Sequence, residues 1–424
     1  MIKLTKTIHV AFISIFYLLL QLVWSQDAII EFAKQNQVID GFGGSSAWCG
    51  EFNDALMDAI FKNGENQLGF TILHNRIDPK ANAWGPDKIN SARAKARGAV
   101  VFATPWSPPE SLKTNKSVIR GYIDSTNFEG FTNWMKSYVT YCGSENVDIM
   151  SIENEPDFAQ QTTYESCGWS ATNLLKYCKN YASKIGKPVM IAESAGFNWA
   201  LSDPTLNDTN AAKNVSYIGG HLYGTKPLRY AKAINLGKHV WMTEWNSNDY
   251  SGKGCMVLAK QMLDCMYQDF NAYVYWWMTW NGNGIISKAG VPNKYGYHMS
   301  MFARWVRPGY YRVDATYQPQ TGVYVVAFNG ARNVVVVVNT GTFAKTQSFI
   351  YSGTTVVKVN KYVTSQSKNA IYDGCISATN NSFFTSLDPQ SITTLVSEGT
   401  VPVIHGRVES IDNASLKVDM KEPS

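Results

Sequence analysis

Two glutamates, placed alike, are the first residues that could do chemistry together. In Ser151-Ile152-Glu153-Asn154-Glu155-Pro156-Asp157, an apolar run from Val147 to Ile152 delivers Glu155, and Pro156 follows at once. Proline has no N–H to give a sheet, so Glu155 is expected where a strand opens into a loop. Val240-Trp241-Met242-Thr243-Glu244-Trp245-Asn246 repeats the design, with Glu244 ending a second apolar strand. One such Glu would be an ordinary solvated strand end. Two of them, on separate buried strands, suggest a two-carboxylate reaction, and cleavage of glycosidic bonds is its commonest form.

The elements that must position this pair are strands and helices in alternation. Strands are predicted over Val38–Gly43, Leu68–Ile77, Ala99–Thr104, Val147–Asn154, Pro188–Glu193, Ser216–Tyr223, His239–Glu244 and Ala272–Met278. Helices are predicted between them, including Phe128–Tyr141, Thr172–Ile185, Leu228–Asn235 and Gly254–Phe270. Eight strand–helix units fit an α/β fold of the closed (β/α)8 TIM-barrel type, for which about 250 residues is usual. A doubly wound open sheet is the alternative, but it does not call for eight. The strand exits carry Trp48, Arg76 with Asp78, Trp106, Asn154 with Glu155, Glu193, His221 with Tyr223, Glu244, and Trp277 or Trp280. In a barrel these form one ring on the C-terminal face, where active sites lie. Gly41-Phe42-Gly43-Gly44 has no Lys-Ser/Thr after it and no GxGxxG spacing, so it reads as a tight strand exit rather than a phosphate loop.

Beyond Arg304 the texture changes to short β-branched runs separated by Gly, Asn and Ser: Val323–Phe328, Val334–Asn339, Gln347–Tyr351, Val356–Tyr362 and Ile392–Ser397. That pattern is a β-sandwich signature. The expected division is a barrel over 38–305 and a side sandwich over 306–398. One or two strands over 26–37 precede the barrel, and a polar tail over 399–424 is either a ragged end or the stub of a further module.

Residues 1–25 read as a secretory signal peptide, with Lys3 and Lys6 at its start, a mostly apolar Ile8–Trp24 and cleavage near Ser25. A membrane anchor is the alternative, but His9, Ser14 and Gln21 interrupt the run. The net charge of +5 includes those two lysines; the +3 left without them is too weak for a nucleic-acid surface. The expectation is therefore a secreted, extracellular monomer with no nucleic-acid partner and, once the signal is removed, no membrane partner. Charged residues make up only 17%, against 13 Trp, 23 Tyr and 19 Phe, an excess that suits stacking on sugar rings. Export would permit disulfides. Of Cys49, Cys142, Cys167, Cys178, Cys255, Cys265 and Cys375, the pair proposed is Cys167 with Cys178. Cys255 and Cys265, ten residues apart on one helix, would stand about 15 Å apart, too far to bridge. Sequons at Asn115, Asn207, Asn214, Asn380 and Asn413 could carry glycans.

Six motifs occur in order: Gly41-Phe42-Gly43-Gly44, Arg76-Ile77-Asp78-Pro79, Thr104-Pro105-Trp106-Ser107-Pro108-Pro109, Asn154-Glu155-Pro156-Asp157, Thr243-Glu244-Trp245 and Phe302-Ala303-Arg304-Trp305-Val306-Arg307-Pro308-Gly309. Together, from about Val38 to Ser397, the chain resembles glycoside hydrolase family 30 in its bacterial-type xylanase branch. The resemblance implies a (β/α)8 barrel fused to a side β-sandwich that an N-terminal strand joins. It implies retaining hydrolysis of β-1,4-xylan with Glu155 as acid/base and Glu244 as nucleophile, and no metal or cofactor. Asn154, Arg76, Trp106 and Tyr223 carry over as residues lining the site.

Two departures stand out. Position 153 is Glu where the family often has Gln, which would set a third carboxylate beneath Glu155; if buried, it needs a partner such as an Arg or a His. Members specific for glucuronoxylan carry an Arg just after the last barrel strand to grip the glucuronate branch. The matching stretch here, Tyr275 to Gly284, has neither Arg nor Lys, and Lys288 beyond it offers only a point charge. Cleavage independent of glucuronate is the expectation.

The chemistry sets requirements on the residues. Glu244 must be ionised to attack, and Arg76 on a neighbouring strand could favour that state, unless Arg76 simply pairs with Asp78. Glu155 must be protonated when it meets the glycosidic oxygen. Asn154 could bond the sugar 2-OH, Trp48 and Trp106 could floor the cleft, and His221 reads as a hydrogen-bonding wall rather than a metal ligand. Other β-glycanases, a binding protein that has lost catalysis, and a barrel used only as a scaffold are the competing readings.

Overall fold

The computed structural model describes residues 26–398, except 248, 250 and 280–283. The expected signal segment, the polar tail with Asn413, and Trp280 lie outside the described residues. Among the described residues no helix is long and apolar enough to cross a membrane.

Strand β1 (Ala28–Val38) leads into eight parallel strands: β2 (Gly41–Ser45), β3 (Ile72–Ile77), β4 (Val100–Pro105), β5 (Ile149–Ser151), β6 (Val189–Ser194), β7 (Tyr217–His221), β8 (His239–Glu244) and β9 (Ala272–Tyr275). They pair in sequence, and β9 returns to β2 through Gly41↔Ala272 and Phe42↔Tyr273, which closes the barrel. Inside it, Ile72, Phe102, Ile149, Met190, Trp241, Ala272 and Val274 form one buried layer. The Trp241 indole donates to Asp40 at 2.7 Å, giving the buried ring's N–H a partner. Gly43 is required by close packing, since a Cβ there would stand 2.1 Å from the Ile72 carbonyl oxygen. The glycine run is thus part of the first barrel strand rather than its exit, and Val38 belongs to β1.

The second domain consists of β10 (Tyr311–Ala315), β11 (Val323–Asn329), β12 (Arg332–Asn339), β13 (Lys345–Ser352), β14 (Lys358–Thr364), β15 (Ile371–Ser377), β16 (Ser382–Leu387) and β17 (Ser391–Glu398), with β1 as a member. Its strands form one mostly antiparallel nine-stranded sheet, ordered β15-β14-β17-β12-β11-β10-β1-β13-β16. Strands from both ends of this sheet order share one buried core, which makes it the side β-domain expected beside the barrel. The N-terminal strand enters between β10 and β13, antiparallel to the first and parallel to the second.

Strand β12 shows why its sequence has no alternation. Val335 and Val337 face the sheet's own core with Ile30, Phe349 and Leu395. Val334, Val336 and Val338 face the other way, into the core shared with barrel helices. A strand buried on both faces reads as a continuous apolar run. Val336→Ala is expected to cost about 2 kcal/mol of unfolding free energy, read from urea denaturation, with the barrel and sheet still unfolding in one transition.

All seven cysteines are free, six of them buried. The expected Cys167–Cys178 bridge is not formed. Cys178 lies on the helix Ala171–Asn180, and the Cys167 thiol instead turns towards the Gly168 carbonyl. Cys255 and Cys265 share the helix Gly252–Tyr267 and remain unbridged, as their spacing requires.

Candidate active site

The C-terminal mouth of the barrel brings Glu155 and Glu244 together. β5 is short, but its neighbours hold the chain beyond it: Asn154 N–H donates to Pro105 O at 3.0 Å and Glu155 N–H to Glu193 O at 3.0 Å. Glu155 sits at φ 45°, a left-handed conformation costly for a residue with a Cβ. Glu193, on the next strand, is at φ 29°. Asp157 pins the loop by accepting from Ser194 Oγ at 2.7 Å and from the Ala195 N–H at 3.1 Å.

His221 stands fully buried between the carboxyls. Its Nδ1 is 3.0 Å from Glu155 Oε1 and 3.8 Å from Glu244 Oε1, while its Nε2 is 3.9 Å from Glu193 Oε2. One carboxylate oxygen from Glu155, one from Glu244 and a nitrogen of His221 all lie within 4.8 Å of one another. Three such atoms could embrace a cation only with His221 neutral, since a protonated imidazole has no lone pair to give. Burial opposes that charge, yet Glu244, Glu155 and Glu193 together raise the His221 pKa well above its ordinary value. Burial pushes Glu244 up to about 8; His221 and the Tyr223 hydroxyl pull it back, and the charges of Glu155 and Glu193 add to the rise. Two buried carboxyls this close repel each other when both are charged.

Each carboxyl has a tyrosine. Tyr223 OH donates to Glu244 Oε1 at 3.0 Å, and Tyr164 OH donates to Glu155 Oε2 at 3.3 Å. Asn154 is buried beside Glu155, and its Oδ1 has no hydrogen-bond partner among the described residues.

Arg76 does not serve Glu244. Its guanidinium forks onto Glu165, donates from Nη1 to Asp78 at 2.8 Å and lies 4.6 Å beneath the Trp48 ring. The expected Asp78 contact exists, but Glu165 takes the bidentate position. Of the expected sugar floors, Trp48 alone is open, at 39% exposure. Trp106 is buried, packed 5.2 Å from Trp48 and 5.3 Å from Trp276, and Trp277 is half-buried against this cluster. Glu153 is buried, and its partners are neither Arg nor His. Trp169 Nε1 donates to it at 3.3 Å, and the nearby charge is Lys113. Burial pushes Glu153 well above the usual carboxyl range.

Tyr164 and Glu165 were not foreseen because they lie on an irregular loop with no periodicity to read. Glu193 was legible as a strand-end carboxylate, without anything to mark it as a neighbour of the pair. Lys288 is exposed.

No family model matches the chain. Among curated proteins it is 32% identical over 392 residues to "Glucuronoxylanase XynC" of Bacillus subtilis, covering 88% of this chain and 92% of that one. Among solved structures it is similar to the glycoside hydrolase family 30 subfamily 8 xylanase Xyn30A of Clostridium acetobutylicum, at 39% identity and TM-score 0.84. The match covers 88% of this chain and all of that one. A family 30 endoxylanase from Clostridium papyrosolvens matches at 36% identity and TM-score 0.82, again over 88% of this chain and all of that one. The strand-end carboxylates at the barrel mouth, the fused side sheet and these full-length likenesses converge: the chain belongs to glycoside hydrolase family 30.

Proposed function

We propose that the protein is a secreted, retaining endo-β-1,4-xylanase of the plant cell wall, with Glu155 as acid/base and Glu244 as nucleophile, that cleaves without needing glucuronate branches. The observation that carries the mechanism is the approach of the two carboxyls within 4.8 Å. Retaining enzymes hold them about 5–5.5 Å apart, whereas inverting ones leave about 6.5–9.5 Å for a water. The xylanase names of the relatives support the substrate class.

In this reading Glu155 protonates the glycosidic oxygen as Glu244 attacks the anomeric carbon from the other face. The covalent ester removes the Glu244 charge, and Glu155, now ionised, draws a proton from the incoming water. Tyr223 holds the attacking carboxyl in line. The unpaired Asn154 side chain is available to the sugar 2-OH, a bond that strengthens as positive charge develops on the ring. Trp48, stiffened by Arg76 beneath it, offers its open face to a sugar.

Glucuronate independence rests on Tyr275 to Gly284, which holds no Arg or Lys for a carboxylate fork. Digestion of glucuronoxylan and of neutral arabinoxylan, followed by mass analysis, tests it. Mixed xylo-oligosaccharides from both polymers are expected. Cutting of glucuronoxylan alone, with one branch on every product, would replace this reading with the second one that the XynC likeness favours, and Lys288 would be the first residue to substitute.

A further inference from the structure

Behind the two catalytic carboxyls lies a third that the reaction as described does not use. Glu193 is fully buried on β6, at a positive φ, and a Cβ on the neighbouring Gly219 would stand 2.7 Å from its Cγ. The glycine makes the room for this carboxylate. Thr104 donates to Glu193 Oε1 at 2.8 Å. Having given its proton there, Thr104 Oγ1 accepts from His74 Nε2, 3.0 Å away. Burial keeps His74 neutral by lowering its pKa to about 4. The other oxygen, Glu193 Oε2, faces His221 Nε2 at 3.9 Å, an ion-pair distance, and the Ser151 side chain also acts on this carboxyl. On its far side His221 presents Nδ1 to Glu155.

We propose that Glu193 is a positioning residue for the reaction: by holding a proton on His221 Nε2, it leaves His221 Nδ1 free to pass its own proton to Glu155. This rests on the assignment of Glu155 as acid/base. The step balances within three side chains. With Glu193 anionic, a doubly protonated His221 beside a Glu155 carboxylate becomes a neutral His221, still protonated on Nε2, beside a Glu155 carboxylic acid. The N–H bond at Nδ1 breaks, the O–H bond at Glu155 Oε1 forms, and no outside proton is needed. The titratable groups facing His221 are Glu155, Glu244, Glu193, Tyr223 and, across Thr104 and Glu193, His74. Burial opposes ionisation of Glu193, but the His221 contact and neighbouring donors outweigh it and hold the carboxyl below its usual range.

The test is Glu193→Gln in the full chain. The amide keeps an oxygen for Thr104 and turns an N–H2 towards His221 Nε2, which favours an unprotonated Nε2 and a proton trapped on Nδ1. Without the anion, the proton shared by His221 and Glu155 leaves at lower pH. The basic limb of the kcat/KM profile on xylan is expected to fall by at least about one pH unit, a tenfold change in the equilibrium. Nitrogen-15 NMR of the His221 ring should show its second proton lost over the same range. Glu193→Asp, which keeps the charge, should restore most of the limb. An unchanged limb and an unchanged His221 titration in a folded Glu193→Gln variant would overturn the proposal, whatever happened to KM. If Glu193→Gln does not fold, Thr104→Val leaves the charge but unfixes it, and an unaltered His221 titration there would overturn the proposal equally. The NMR readout needs no turnover, so inactivity of the wild-type protein on xylan would refute the substrate reading and leave this test standing.

Discussion

Glu244→Gln is expected to abolish xylan hydrolysis, lowering kcat by at least about 10⁴-fold, as loss of a covalent nucleophile does. The fold should survive it. Glu244 is buried, and burial pushes its folded pKa to about 8 from an ordinary 4.5. A carboxyl raised in this way binds more protons folded than unfolded between those values, so its contribution makes stability fall as pH rises across that window. The Gln variant lacks that slope, and its Tm at pH 8 should equal or exceed that of the wild type. Glu155→Gln should differ in kind. Loss of general acid catalysis costs about 10²–10⁴-fold on xylan, but far less in the first step of an aryl xyloside whose leaving group needs no proton. In Glu155→Ala, azide should then accelerate the second step and yield a β-glycosyl azide.

The second large effect is structural. Arg76→Met is expected to cost about 3 kcal/mol in urea denaturation, because it leaves Glu165 and Asp78 without their shared cation. Arg76 is only 8% exposed, and no other cation is hydrogen-bonded to the Glu165 carboxylate among the described residues. Adding Glu165→Leu should recover much of the loss, since the uncompensated charge disappears with it. Activity should not recover in the double variant. The Arg76–Glu165 fork ties down the loop that aims Tyr164 at Glu155 Oε2, and freeing that loop lowers kcat. An ordinary strand-end pair with Asp78 alone would show neither the large cost nor the compensation.

The barrel was legible because its strands end alike: apolar runs with a polar or aromatic residue at each exit. Glu155 and Glu244 could be singled out for that reason, and the Pro after Glu155 marked where the strand stops. What could not be read were contacts made by irregular chain. Arg76 was on the right strand, but its partner is set by Glu165, 89 residues further on in a loop. The third carboxylate expected beneath the acid, Glu153, follows strand alternation only until the backbone turns at Glu155, and so it ends up with Trp169 and Lys113. Trp106 shares its strand-exit position with Trp48, yet packing of three indoles buries one and exposes the other, which no spacing encodes. In the second domain the two-sided burial of β12 was visible as an unbroken valine run, whereas β15, half exposed and interrupted by Asp373 and Gly374, gave no comparable signal.

The most direct measurement is proton NMR of xylohexaose during hydrolysis, following the anomeric signal of the new reducing end from the first minutes. Attack by Glu244 from one face, followed by water from the opposite face that the leaving group has vacated, requires the β-anomer to appear first and the α-anomer to grow in only by mutarotation. Initial appearance of the α-anomer would mean a single inverting displacement, and Glu244 could not then be the nucleophile.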